Sequence, residues 1–159
     1  MVSKSCKMEI VYRNAVIADL SFLVESRLDF IGITRDDSDF EFIKNNISRY
    51  FQQSIEEKSC DIILAEHNGF IVGTGIVFYY NSVPSTFNPL GKNAYITSMY
   101  VSEEYRRWGI GTVVLDKLVS LAKDRGYSVL FLQASDMGKP LYEKYGFSDS
   151  KAGMFLKLE

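Results

Sequence analysis

The hydrophobic residues of this chain repeat at two different periods, and the order in which those periods alternate leaves few folds open. Ile17, Leu20, Val24, Leu28 and Ile31 recur at spacings of three and four, the mark of an amphipathic helix. After a polar break at Thr34 to Asp37, Phe40, Ile43, Ile47, Tyr50 and Phe51 make a second helical stripe, and Ser38 with Glu41 three residues on is a capping-box pattern. From Asp61 the period becomes that of strands. Asp61 to Glu66 and Phe70 to Tyr80 flank His67-Asn68-Gly69 and read as a hairpin. Gly73 and Gly75 inside the second strand predict a bulge or a close approach of backbone.

Asn81 to Asn93 carries Pro84, Pro89 and Gly91 and reads as a long loop before a strand at Ala94 to Val101. Gly109 to Arg125 is the clearest helix, with Ile110, Val114, Leu118 and Leu121 on one face and Gly126 as its stop. A strand follows at Ser128 to Ala134, then a short helix at Pro140 to Tyr145 ended by Gly146. Short strands at Met8 to Tyr12, Phe147 to Asp149 and Met154 to Leu158 complete the order β-α-α-β-β-β-α-β-α-β-β. That is a mixed α/β arrangement, expected as a single domain over residues 1–159, and not a regular doubly wound array.

Composition removes several classes of function. Lys and Arg total 18 against 20 Asp and Glu, a net charge of −2, so the chain lacks the global field of a nonspecific nucleic-acid binder. Cys6 and Cys60 form no Cys-x-x-Cys pair, and His67 is the only histidine, which argues against a structural zinc site, a disulfide framework and a Ser-His-Asp triad. No apolar run approaches the ~20 residues of a membrane span. Lys4, Lys7, Glu9 and Arg13 interrupt the start of the chain, which does not read as a signal peptide. The expectation is a cytoplasmic, reducing location, with no metal, no nucleic acid and no membrane partner.

The chemistry concentrates between the strand ending at Val101 and the helix opening after Gly109. Arg106-Arg107-Trp108-Gly109-Ile110-Gly111-Thr112 joins a basic, glycine-containing turn to a helix N-terminus, where free amides and the macrodipole favour an anion. A P-loop needs Gly-Lys-Ser/Thr, and Gly111-Thr112-Val113 stands there instead. A dinucleotide fingerprint needs a third glycine where Val114 stands.

Arg106 to Gly111 resembles the Arg/Gln-x-x-Gly-x-Gly/Ala signature of the GNAT superfamily of N-acetyltransferases, and Pro140-Leu141-Tyr142-Glu143-Lys144-Tyr145-Gly146-Phe147 resembles that family's Leu-Tyr-Glu-Lys-x-Gly-Phe ending. The resemblance implies a mostly antiparallel sheet of about seven strands flanked by about four helices, with a splayed strand pair at the acyl-CoA site. It implies acetyl-CoA as co-substrate and transfer of its acetyl group to a primary amine by direct attack in a ternary complex. A non-catalytic coenzyme-A-binding sensor or interaction module of the same fold is the alternative. Backbone amides of Arg107, Trp108, Gly109, Ile110, Gly111 and Thr112 would cradle the pyrophosphate, with Arg106 beside them. Met99, Tyr100 and Val101 would pair with the pantetheine arm, one amide near Met99 or Tyr100 polarising the thioester carbonyl. Tyr142 would protonate or hydrogen-bond the leaving sulfur, and so is the catalytic candidate.

Two departures from the pattern matter. Ser135 stands where the family often has a pantetheine-binding Asn, and Gly138 where it has Ala. The strand at Ala94 to Val101 carries no carboxylate to act as base, which leaves water or a carboxylate near the junction of the first two helices, with Asp29, Asp36 and Asp37 as candidates. The aromatics and acids of residues 22 to 51 admit a small amine, a lysine side chain or a peptide N-terminus as acceptor, and strands at the sheet edge allow a homodimer.

Overall fold

A computed structural model describes residues 9–150 and 156–157. The chain forms β1 (Val11–Asn14), α1 (Leu20–Ile31), α2 (Phe40–Glu57), β2 (Cys60–His67), β3 (Phe70–Asn81), β4 (Lys92–Val101), α3 (Ile110–Asp124), β5 (Val129–Leu132) and α4 (Lys139–Tyr145), with 3-10 turns at Ile17–Asp19 and Glu103–Tyr105. One sheet in the order β1-β2-β3-β4-β5 holds the molecule together. Its first four strands pair antiparallel, and β5 runs parallel to β4 because α3 carries the chain back across the sheet.

Side chains alternate across each strand, so the sheet has two buried faces. Ile63, Ala65, Val72, Val77, Ala94 and Ile96 face α3, which buries Ile110, Val114, Leu115 and Leu118 against them. Ile62, Leu64 and Ile76 face α1 and α2 and meet Leu23, Val24, Leu28, Phe40 and Phe51. Each of the Val, Leu, Ile and Phe side chains among them contributes roughly 1.5–3 kcal/mol on full burial. Arg13 ties the β1 end to this frame by pairing with Asp19 at 2.8 Å and Glu66 at 2.7 Å.

Three sequence expectations need correction. The described residues form five strands, not about seven. Phe147 to Asp149 is not a strand, because the Phe147 amide closes the end of α4 by donating to the Tyr142 carbonyl at 2.9 Å. The Phe147 ring meanwhile packs on Tyr142 and Tyr145. Of the strand expected at Met154 to Leu158, Met154, Phe155 and Leu158 lie outside the described residues. The capping box is also absent: Asp39, not Ser38, precedes α2, and the Ser38 hydroxyl turns to the Asp39 carboxylate instead of to a helix amide.

The predicted irregularity of β3 is real and is shared with β4. Thr74 pairs Tyr100 and Ile76 pairs Thr97, so Gly75 alone faces the two residues Ser98 and Met99. Ser98 is the bulged residue, at φ +51°.

Candidate active site

The turn between β4 and α3 folds as an anion cradle. Arg107 (φ +66°) and Gly109 (φ +80°) both take left-handed backbone, with Gly109 the residue that opens α3. Alternating hand in consecutive residues turns successive N–H groups to one side. Among the described residues, the amides of Arg107, Trp108, Gly109, Ile110, Gly111 and Thr112 donate to no protein acceptor, and the first bond of the helix is Val113 N–H to the Gly109 carbonyl. Ile110 is buried under the sheet and anchors the helix end, while Arg106, Arg107 and Trp108 are exposed at its mouth. The Arg106 Nε donates to the Val101 carbonyl at 3.1 Å, fixing the turn to the end of β4. A row of amides unpaired among the described residues, with the Arg107 guanidinium and the remaining N–H groups of Arg106 beside it, fits a pyrophosphate.

Beside the cradle the sheet opens. β4 and β5 pair only from Asn93↔Val129 to Ile96↔Leu132. Beyond Ile96, β4 continues through Met99, Tyr100 and Val101 with no strand on its β5 side among the described residues. The backbone groups on that edge are a template for an extended ligand. The Met99 side chain packs into the core below α3, and Tyr100 is exposed.

Tyr142 lies on α4 and is buried, its ring edge-on to Phe147 at 6.0 Å. Burial raises the pKa of its hydroxyl further above neutrality. It lines a cavity of about 850 Å³ with Leu132, Gln133 and Ala134, the residues that leave the sheet where β5 ends. Gly138 approaches the Tyr142 ring so closely that a Cβ there would lie 3.0 Å from Cε2. The Ser135 hydroxyl accepts from the Gly138 amide at 3.2 Å and its carbonyl from the Lys139 amide at 2.9 Å, so Ser135 shapes the start of α4.

A second cleft of about 360 Å³ lies on the other face, between α1 and the β3–β4 bulge. Phe22, Phe30 and Phe51 supply apolar wall, and Arg27, Asp29, Thr74, Ser98 and Tyr100 supply polar groups. Arg27 Nη1 donates to the Ser98 hydroxyl at 3.1 Å and the guanidinium lies 5.1 Å from the Phe30 ring centre. The Thr74 hydroxyl is buried without a hydrogen-bond partner among the described residues. Such an orphan costs about 1–3 kcal/mol unless a ligand or a water completes it.

The structure thus brings the predicted Tyr100 together with Arg27, Thr74 and Ser98, which sequence reasoning missed. It does not bring Tyr142 into that cleft, since the two cavities share no lining residue. Of the three candidate carboxylates only Asp29 lines it. The Asp37 carboxylate accepts from the Thr34 amide and hydroxyl, which lowers its pKa and makes it a turn residue. A basic residue within the stripe of α1 was the one visible signal for Arg27; the left-handed backbone of Ser98 left none. Cys60 is buried, its thiol pushed up to about 11 by desolvation, and is no nucleophile. Among the described residues no group of three His, Cys, Asp or Glu can hold a metal ion.

Comparison with known proteins agrees with this geometry. The model of the acetyltransferase (GNAT) family matches residues 28–147. A thialysine N-epsilon-acetyltransferase of Bos taurus is 39% identical over 82 residues, which are 50% of this chain and 45% of that relative. The chain therefore spans less than half the length of that relative. A crystal structure described as a predicted acetyltransferase with acetyl-CoA, from Clostridium acetobutylicum, superposes with a TM-score of 0.84 at 32% identity, covering 94% of this chain and 96% of the other. A GCN5-related N-acetyltransferase from Ralstonia eutropha has the same fold, with a TM-score of 0.82 at 22% identity and coverage of 94% and 99%. With the cradle, the parted strands and a family match over most of its length, this chain belongs to the GNAT family of acetyltransferases.

Proposed function

We propose that this chain is an acetyl-CoA-dependent N-acetyltransferase that acts on a primary amine by direct attack within a ternary complex. The observation that carries the reading is the run of unpartnered amides from Arg107 to Thr112 beside the edge where β4 and β5 part. Acetyl-CoA, when bound, supplies the acetyl thioester. Arg106, Arg107 and the amides of Trp108, Gly109, Ile110, Gly111 and Thr112 hold its pyrophosphate. Backbone groups of Met99, Tyr100 and Val101 pair with the pantetheine arm like an added strand, and one of their amides stabilises the negative charge that builds on the acyl oxygen. Tyr142, a protonated phenol at neutral pH, gives its proton to the departing sulfur. The Ser135 hydroxyl, which accepts from the Gly138 amide, keeps its own O–H to donate to the arm. Asp29 or water takes the proton that the amine loses.

A small-molecule amine and a protein or peptide amine both remain within this reading, and the name of the thialysine acetyltransferases makes a small amine the first to try. The test is the rate of thiol release from acetyl-CoA as both substrates vary. Direct attack predicts amine-dependent release with intersecting initial-velocity lines. Parallel lines would mean a covalent acyl-enzyme and contradict it.

A further inference from the structure

We infer that the cleft between α1 and the β3–β4 bulge takes an acceptor amine that also carries a carboxylate, with Arg27 as the residue that recognises the carboxylate; this rests on the acetyltransferase reading above. Arg27 has five N–H donors, and among the described residues only one is used, toward Ser98. No carboxylate of the described residues pairs with it. A guanidinium half-sunk in a cleft, with most of its fork unspent and an aromatic ring beneath it, is built to meet a planar anion bidentately.

The rest of the cleft specifies the other end of the ligand. Thr74 is 3% exposed and lines the same space, and its hydroxyl has no partner among the described residues, so a ligand N–H would satisfy it. Asp29 offers the cleft its negative group and is also free of ion pairs among the described residues. Opposite charges in one cleft that do not pair with each other match a molecule bearing both signs. A ligand with only ammonium groups would meet the Arg27 charge unsatisfied, which disfavours a polyamine. Phe22 and Phe30 cover the apolar carbon chain between the two ends.

Three acceptors of similar length separate these cases: 6-aminohexanoate, with an amine and a carboxylate; pentylamine, with the amine alone; and cadaverine, with a second amine. Thiol release at saturating acetyl-CoA should favour 6-aminohexanoate at least tenfold in kcat/KM over either other amine. In Arg27→Gln the preference should collapse toward unity, and Arg27→Lys should restore part of it. A second readout needs no turnover: with coenzyme A bound, 6-aminohexanoate should raise the unfolding temperature of the wild type and leave that of Arg27→Gln unmoved. Equal use of the three amines, or a loss in Arg27→Gln that leaves the preference intact, would overturn the inference. Acetyl-CoA binding with turnover of pentylamine or cadaverine alone, or of none of the three, would also overturn it while leaving the acetyltransferase reading standing. Failure to bind acetyl-CoA at all would instead count against that reading.

Discussion

Gly75 and Met99 face each other across the β3–β4 pair so closely that a Cβ on Gly75 would lie 2.6 Å from the Met99 sulfur. The same Cβ would lie 2.6 Å from Val114 Cγ1 and 2.9 Å from Leu118 Cδ1 on α3. The glycine lets α3 sit on the strand directly opposite the Ser98 bulge, which ties the packing of the helix to the course of β4. Gly75→Ala overpacks this contact and should cost about 1–3 kcal/mol. At roughly 2–4 °C per kcal/mol, thermal unfolding should fall by several degrees. An unchanged midpoint would mean that the helix does not bear on the bulge.

Tyr142→Phe separates catalysis from binding. The Tyr142 hydroxyl makes no hydrogen bond among the described residues, so its removal should leave stability nearly unchanged. Loss of a general acid lowers turnover by ~10²–10⁴-fold. Turnover should drop in that range with acetyl-CoA affinity retained, measured by titration calorimetry and steady-state rates. Because burial raises the pKa of this hydroxyl, the wild-type rate should show no alkaline decline from Tyr142 up to pH about 10.

Asp19 sets an acid limb of stability. Its hydrogen bonds from Arg13 lower its pKa below the usual 3.8. A carboxylate depressed in the folded state contributes stability that is present above its unfolded pKa and lost as pH falls through the folded one. Arg13 is a third exposed, which screens the pair and limits its contribution to about 1 kcal/mol. Asp19→Asn should lower the denaturant midpoint at pH 7, and the two proteins should converge only as pH falls below 3.8 through the folded pKa.

Cys60 should be silent in the reaction. Its thiol is desolvated and held to about 11, so Cys60→Ala should keep amine-dependent acetyl transfer within about twofold. A variant that lost transfer while still binding acetyl-CoA would point to a covalent route through Cys60.

Most elements follow from their hydrophobic periods because burial on one face enforces them. The Asn68-Gly69 hairpin, the stripe of α3 and the stops at Gly126 and Gly146 all stand as expected. The cradle was legible because glycine and arginine at a strand-to-helix turn have few other uses. The second cleft was not. Arg27, Thr74 and Ser98 are 47 and 24 residues apart in turn, and only the pairing of β3 with β4 and the packing of α1 bring them together. Ser38 misled because Asp39 takes the position before α2 and the Ser38 hydroxyl turns to the Asp39 carboxylate.

The central claim is that the Arg106 to Thr112 turn holds coenzyme A. Thermal unfolding with and without acetyl-CoA tests it most directly, with dephospho-coenzyme A as the comparison ligand. Ligand at about 100 times its dissociation constant adds ~2.7 kcal/mol, which for a domain of this size raises the midpoint by roughly 5–10 °C. The account predicts that rise in the wild type and a smaller one when Arg106 and Arg107 are both replaced by alanine. No shift of the wild type at millimolar acetyl-CoA would contradict it.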